Sequence, residues 1–294
     1  MSSRFRPRRA VVRFLARLTH RLARSSQVRG DHQRAERLLQ RAIELADGTL
    51  GDMEFAVVLN DLGVLYKTLG RFDEAERVYQ RVGDLVVASR GEDSLEAATL
   101  YHNLGGLEHA RGRHALGEPP ARRALEIRER LLGSDHPDTA ADAAALAAIL
   151  DGQGKRDEAE RLIRGALIVF ERTYGPEHYE IAVNLNNLGA LRQAVGDVLD
   201  AERLYRQSLA LKEKLLGPAH PDVAVTANNL AVLYKTQQRY SEAERCYRRA
   251  LAIFERSLGP SHPRTIACRE HHAGAVRAAQ TEVASDLLRE ERRA

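Results

Sequence analysis

One segment recurs four times in this chain, as LLGSDHPDTA at residues 131–140, TYGPEHYEIA at 173–182, LLGPAHPDVA at 215–224 and SLGPSHPRTI at 257–266. The glycine of each copy follows the previous one by 42 residues. The same interval separates five leucines, at Leu62, Leu104, Leu146, Leu188 and Leu230. A fixed period of this length indicates a repeat protein, in which similar units stack on their neighbours. Six copies start near residues 16, 56, 98, 140, 182 and 224, and the first of them is degenerate.

Each copy predicts two helices. The first begins after a His-Pro pair, because a proline at the first helical position does not need its missing amide donor. These prolines are Pro137, Pro221 and Pro263. The second helix is predicted to begin at an Asp or Ser that caps its free amides, at Asp73, Asp157, Asp200 and Ser241. A small residue beside the repeated leucine, such as Gly63, is expected to let the second helix approach closely at Ala75.

The composition favours helices throughout. Of 294 residues, 44% are hydrophobic but only 5% are aromatic, and Ala, Leu and Val supply most of the apolar share. The predicted fold is all-α, a right-handed superhelical solenoid of antiparallel helix pairs with a concave inner wall. We expect a basic extension at residues 1–15, six repeats over 16–265 and a degenerate capping helix pair at 266–294. Two cysteines leave no disulfide framework, which favours a cytoplasmic location.

The stretch from Leu185 to Pro263 resembles the tetratricopeptide array of kinesin light chains. The 42-residue unit with its G-P-x-H-P linkers carries the resemblance over about residues 56–265, whereas the general tetratricopeptide unit has 34 residues. The resemblance implies a non-catalytic scaffold or adaptor whose groove holds an extended, often acidic peptide of a partner protein. The coiled coil by which true light chains bind kinesin heavy chain is missing.

The candidate groove residues are polar side chains of the first helices, at the positions that family geometry turns toward the concave wall. They lie two before and five after each repeated leucine: Asn60, Lys67, His102, His109, Asn186, Gln193, Asn228 and Lys235. An asparagine offers a donor and an acceptor together, so a ladder of them can bind an extended backbone. The lysines and histidines favour an acidic peptide. The fourth repeat departs from the pattern with Ala144, and the neighbouring Asn103, Asn187 and Asn229 are expected to bond between repeats.

No catalytic, metal or cofactor site is predicted. The sequence contains none of the phosphate-binding, nucleophile or zinc motifs GxxxxGK[ST], GxSxG and HExxH. Four histidines, at His136, His178, His220 and His262, share the repeat spacing. Equivalent residues of stacked helices lie about 10 Å apart, too far to share one ion, so we interpret them as linker residues at helix starts. We expect no small-molecule substrate.

The amino-terminal segment is strongly basic. Residues 1–30 hold nine arginines and no acidic residue, and apolar residues recur every three or four positions from Val11 to Leu22. Three interpretations remain open: a first repeat helix with a basic outer face, an anchor on anionic membrane or nucleic acid, and an Arg-rich transit peptide. The second would make the chain a regulatory module acting through this helix, and self-association through incompletely capped ends is a further possibility.

The third repeat carries Pro119 and Pro120 inside its second predicted helix. A proline in a helix interior costs about 3 kcal/mol. We therefore expect this helix to begin late, near Pro119, and to form a local weak point.

Overall fold

The structure, a computed structural model, describes the backbone of residues 6–291 and the side chains of residues 9–281. The described residues form thirteen α-helices and no strand, which confirms the all-α repeat fold. The helices are α1 (Arg6–Val28), α2 (His32–Ala46), α3 (Asp52–Thr68), α4 (Phe72–Arg90), α5 (Leu95–Ala110), α6 (His114–Leu132), α7 (Pro137–Gly152), α8 (Arg156–Tyr174), α9 (Tyr179–Ala194), α10 (Val198–Leu216), α11 (Pro221–Thr236), α12 (Tyr240–Ser257) and α13 (Pro263–Glu291). We call the odd-numbered helices A helices and the even-numbered ones B helices.

The chain divides into two compact units, and the first is Met1–Thr173. In this unit α1 packs against α2, α3 against α4 and α5 against α6. The A helices α1, α3, α5 and α7 also contact one another in that order. Tyr66 and Tyr79 are buried in the core. The A helices of the first unit therefore lie side by side and form one continuous wall.

The second unit is Tyr174–Ala294. Here α9 pairs with α10 and α11 with α12, while α13 packs against α12 and also contacts α11. Its core contains Tyr205, Tyr234 and Tyr247, together with the thiol of Cys268. The A helices α9, α11 and α13 form the corresponding wall of this unit.

The repeated histidines cap the A helices. In α7, α9 and α11, Nδ1 of His136, His178 and His220 accepts a hydrogen bond from the backbone N–H two residues later, over 3.1 to 3.3 Å. The His-Pro prediction is confirmed, since α7, α11 and α13 each begin at the proline. The glycine before each histidine ends the preceding B helix, and Gly217 does so with a φ of 85° that other residues rarely adopt.

The predicted starts of the B helices are wrong by one or two residues. Helix α4 begins at Phe72 after Arg71, and α12 begins at Tyr240 after Arg239, so Asp73 and Ser241 lie inside the first turn. Helices α8 and α10 begin at Arg156 and Val198, before Asp157 and Asp200. In α4 and α12 the preceding arginine pairs with a first-turn glutamate, Glu74 or Glu242, that stabilises the helix amino terminus. Helix α10 begins early because Asp197 caps it, with its carboxylate accepting from the N–H of Asp200.

The expected late start of α6 is wrong. The helix is unbroken, and Pro119 and Pro120 are its sixth and seventh residues. In a regular α-helix, the N–H groups of residues 119 and 120 would donate to the carbonyls of Ala115 and Leu116, and the two prolines lack these N–H groups. Both of those residues are exposed, so water can satisfy the carbonyls and the helix need not break.

Both chain ends differ from the expected domain limits. The described part of the predicted extension at 1–15 belongs to α1, which begins at Arg6 and packs on α2 as a first A helix. The predicted cap at 266–294 is a single helix, α13, and not a helix pair over the residues described. No loop-forming Gly-Pro element interrupts the sequence between Pro263 and Glu291, so the helix continues.

Candidate functional site

Two hydrogen bonds between asparagine side chains connect neighbouring A helices, and we call each of them an asparagine rung. In the first unit, Nδ2 of Asn103 donates to Oδ1 of Asn60 over 2.7 Å. In the second, Nδ2 of Asn229 donates to Oδ1 of Asn186 over 3.1 Å. Bonding between repeats is thus confirmed for Asn103 and Asn229, whereas Asn187 accepts from Asn186 of its own helix over 3.4 Å. The rungs orient the amides of Asn60 and Asn186 so that the oxygen of each is already engaged.

Asn228 occupies the same position one repeat later, and its amide is differently placed. Its Oδ1 is buried and has no hydrogen-bond partner among the described residues. An acceptor left unpaired in this way costs about 1 to 3 kcal/mol. A ligand at the wall could therefore meet only the other end of this amide, its Nδ2.

His102, the counterpart of Asn60 in α5, is held by a buried carboxylate. Its Nδ1 lies 2.6 Å from Oδ1 of Asp142, which is fully buried and also accepts from Nη1 of Arg128 over 2.5 Å. Arg128 in turn donates to Oγ1 of Thr99. Because a carboxylate only accepts, Nδ1 of His102 carries the hydrogen, and Nε2 remains for the wall. Asp142 and Arg128 were not predicted from the sequence, although neither type of residue is usual inside a helical array.

Two further predicted residues bond within their own helix pair. Nδ1 of His109 lies 3.2 Å from Nδ1 of His114 at the start of α6. Oε1 of Gln193 accepts from the hydroxyl of Tyr205 over 3.0 Å. Both residues belong to A helices, but these contacts with a B helix fix their orientation and reduce what they can offer to a ligand.

The two predicted lysines lie over glycines of the next A helix. Nζ of Lys67 is 3.1 Å from the position that a Cβ atom of Gly106 would take, and Nζ of Lys235 is 3.0 Å from the equivalent point at Gly274. A side chain at either glycine would displace the ammonium group. The glycines therefore make room for a cation at the same place in both units, a role that the sequence analysis did not identify.

A crevice opens beside Asn60 in the first unit. It has a volume of about 170 Å³ and lies between α3, α4 and α5, with Val82, Val86 and Leu100 in its wall and Glu96 among the residues that line it. One repeat later, the counterpart of Val86 is Arg128, whose side chain reaches Thr99 and Asp142. The crevice is therefore open where the B helix carries a short valine.

The same position in the second unit holds a buried lysine. Lys212 is only 3% exposed, and its Nζ donates to Oγ1 of Thr226 over 2.9 Å. Burial lowers the pKa of Lys212 to about 8, while the carboxylate of Asp222 opposes the shift and Arg264 adds to it. This cation fills the interior of the repeat and is not part of the exposed wall.

The described part of the chain contains neither a candidate metal site nor a candidate membrane-spanning helix. No group of three or more His, Cys, Asp or Glu residues there could hold a metal ion. Among the described helices, none is long and apolar enough to cross a membrane.

The comparisons with known proteins agree with this architecture. The tetratricopeptide repeat profile matches residues 14–85, 96–167, 145–214, 180–256 and 222–294. A search for curated relatives finds no match. Among solved structures, BtubC (BKLC) from P. vanneervenii is 24% identical over 89% of this chain and 95% of that chain, with a TM-score of 0.52.

Two other solved structures are similar. A Rap protein complexed with competence and sporulation factor is 15% identical over 94% of this chain and 90% of that one, with a TM-score of 0.58. The apo form of RapI is 17% identical over 79% and 84%, with a TM-score of 0.53. At these identities the likeness concerns the fold alone.

Proposed function

This chain belongs to the tetratricopeptide repeat family, and we propose that it is a non-catalytic scaffold or adaptor that holds an extended, acidic peptide segment of a partner protein on its A helices. The family is in general a non-catalytic interaction module. The observation that carries the proposal is the recurrence of one asparagine rung in both units, Asn103 on Asn60 and Asn229 on Asn186. A repeated, oriented amide suits a ligand whose own backbone groups repeat.

The polar groups of the first unit that could meet a ligand are mainly donors. Oδ1 of Asn60 is engaged by Asn103, so its Nδ2 is left to donate to a peptide carbonyl. The ammonium of Lys67 lies on the same face of α3, nearly two turns further on. Donors and cations together favour carbonyl and carboxylate groups, and bonds to a charged group are the stronger kind. In the second unit, the ammonium of Lys235 would bind a carboxylate, and Nδ2 on the half-buried side chain of Asn228 would donate to a peptide carbonyl.

The crevice beside Asn60 adds a preference for one apolar side chain. Its wall of Val82, Val86 and Leu100 would bury an aliphatic or aromatic residue of the peptide, while Asn60 bonds the backbone next to it. Burying one such side chain contributes about 1.5 to 3 kcal/mol. The proposed ligand is therefore an acidic extended segment that carries an apolar anchor.

Two further observations support the proposal. A Rap protein of the same fold is complexed with competence and sporulation factor, so this architecture is able to hold a separate factor. Cys246 and Cys268 are both free thiols, and burial raises the pKa of each. Unreactive free thiols suit the cytoplasm, where we place the protein.

The test begins with affinity capture from the native host. Wild type is compared with Asn228→Leu, with the double variant Asn186→Leu and Asn228→Leu, and with the control Gln207→Leu, which changes an exposed residue on a B helix. We expect partners bound by wild type and the control to be lost from the wall variants, with unchanged circular dichroism. An acidic segment of a captured partner is then synthesised and titrated by fluorescence anisotropy. Equal affinity for wild type and Asn228→Leu would overturn the proposal.

The double variant also removes the hydrogen bond between Asn186 and Asn229, so it could lose helix, and its circular dichroism must be compared with that of Asn228→Leu. If circular dichroism shows loss of helix only in the double variant, Asn186 is structural and Asn228→Leu alone decides the question. For the first unit, Val86→Phe is designed to fill the crevice with the apolar side chain found two repeats later, at Phe170. It should weaken binding of a peptide with an apolar anchor and leave binding of an anchor-free acidic peptide unchanged.

A further inference from the structure

Helix α1 turns its large apolar residues away from the core. Its buried face consists of small residues, including Ala16, Ala23 and Ser26, which are fully covered. Each of its large apolar side chains lies three or four residues from another of the set, and they are 41% to 64% exposed: Val11, Phe14, Leu15, Leu18 and Leu22. We call these five residues the α1 stripe. Residues at such intervals share one face of a helix, so the stripe is continuous.

The equivalent residues of the next A helix are covered. With the offset of 40 residues between the first two repeats, Leu15, Leu18 and Leu22 correspond to Phe55, Val58 and Leu62 of α3. Those three side chains are at most 7% exposed, because α1 and α2 precede α3 and pack on it. The α1 stripe is thus a surface of the kind that this fold normally buries, and no described element covers it.

The charge around the stripe has one sign. All nine charged side chains of residues 1–30 are arginines. Arg13 donates to the carbonyl of Thr49 and Arg17 pairs with Glu54, so part of this charge is used within the unit. Arg21 is exposed beside the stripe, and Arg9 is exposed one turn before Arg13; neither has an ion-pair partner among the described side chains.

We propose that α1 binds the surface of a bilayer that contains anionic phospholipids, lying in the plane of the membrane with the stripe at the acyl boundary. Interfacial helices combine exposed apolar residues with flanking arginines. The apolar side chains enter the lipid, and the cations reach the headgroups. A nucleic acid would satisfy the arginines but offers no apolar phase for Phe14 and Leu18. A second copy of the chain would cover the stripe, but it would bring together two segments whose charged residues are all arginines, and these would repel each other.

The test uses the full chain and vesicles of phosphatidylcholine with or without phosphatidylglycerol, in a co-sedimentation assay. We expect binding only to the anionic vesicles, and weaker binding at high salt. The double variant Phe14→Ser and Leu18→Ser should bind at least about tenfold more weakly. Because both residues are exposed, the fold should persist. The control double variant Ile168→Ser and Leu199→Ser removes two exposed apolar residues elsewhere and should bind like wild type.

Several outcomes would overturn the proposal. These are equal binding to neutral and anionic vesicles, undiminished binding of the stripe variant, or binding of duplex DNA without binding of vesicles. A dimer seen by light scattering that the stripe variant abolishes, with no vesicle binding, would assign the stripe to self-association instead. Asn228→Leu should bind vesicles like wild type, so this result and that of the peptide experiment are independent.

Discussion

The ring of Tyr79 in α4 lies directly against Gly63 in α3. A Cβ atom built on Gly63 would stand only 2.5 Å from Cε1 of that ring. The same relationship recurs in the second unit, where a Cβ on Gly189 would stand 2.9 Å from Cδ1 of Tyr205. In both cases the A helix carries glycine because a tyrosine of its B helix occupies the space.

We expect Gly63→Ala to destabilise the first unit by about 1 to 3 kcal/mol, since the buried ring of Tyr79 has to move. Urea unfolding followed by circular dichroism measures the change. Gly165→Ala in α8 is the matched control, because a Cβ there would meet nothing within 4 Å. That variant should instead gain about 0.5 to 1 kcal/mol from the lower entropy of its unfolded chain. Equal effects of the two changes would show that the close contact at Tyr79 does not constrain the helix pair.

The fold could be predicted from the sequence, but several contacts could not. The 42-residue interval determines which helices pair, because each pair must bury the same apolar positions in turn. The period does not determine which side chain of the B helix reaches the A helix. Close approach is expected at Ala75, which is fully buried, but the period does not reveal that the ring of Tyr79 lies against Gly63. In α6 the close approach is found at the expected position, because Gly117, the counterpart of Ala75, lies against Gly105.

The candidate site shows the same limit. Its positions on the A helices follow from the repeat, and the inter-repeat bonds of Asn103 and Asn229 could be predicted because paired amides recur there. The partners of His102 could not, since Asp142 and Arg128 stand where the preceding repeat has the apolar Leu100 and Val86. Single substitutions of this kind leave the period unchanged, so they are visible only as departures from the pattern.

Glu118 in α6 should make the first unit sensitive to acid. Hydrogen bonds from Lys155, and then from Gln153 and Arg122, lower the pKa of Glu118 to about 2, against the opposing effect of burial. A lowered pKa means that the carboxylate stabilises the folded state above pH 4.5, its ordinary pKa, and that this contribution is lost as the pH falls from 4.5 toward 2.

We expect Glu118→Gln to cost on the order of 1 kcal/mol at neutral pH and to flatten the acid dependence of stability. Thermal unfolding between pH 2 and pH 7 gives the comparison. Glu126→Gln, an exposed position on the same helix, should retain the acid dependence of wild type. If Glu118→Gln keeps that dependence too, the network around Lys155 does not stabilise the fold.

Lys212 should make the stability of the second unit depend on pH in the alkaline range. Its pKa is about 8 in the folded state and 10.5 ordinarily, so between these values the unfolded chain binds a proton that the folded chain does not. Stability of the second unit should therefore rise from pH 8 to pH 10.5, by about 3 kcal/mol. Lys212→Met should remove this rise and stabilise the unit at pH 7. Lys214→Met, an exposed position on the same helix, is the control and should retain the rise. Hydrogen exchange in α10 at several pH values measures both, and a rise that persists in Lys212→Met would contradict the assignment.

Pro119 and Pro120 offer a test of how α6 tolerates missing donors. Replacing both with alanine restores the N–H groups that would bond to the carbonyls of Ala115 and Leu116. We expect higher stability of the first unit, by less than the roughly 3 kcal/mol that one interior proline costs, because water already satisfies those exposed carbonyls. Pro137→Ala is the matched control, since Pro137 is the first residue of α7, where no donor is needed. Its melting temperature should stay near that of wild type. A loss of stability in the Pro119 and Pro120 variant would mean that the rings stabilise the first turns of α6 by packing more than their missing hydrogen bonds weaken them.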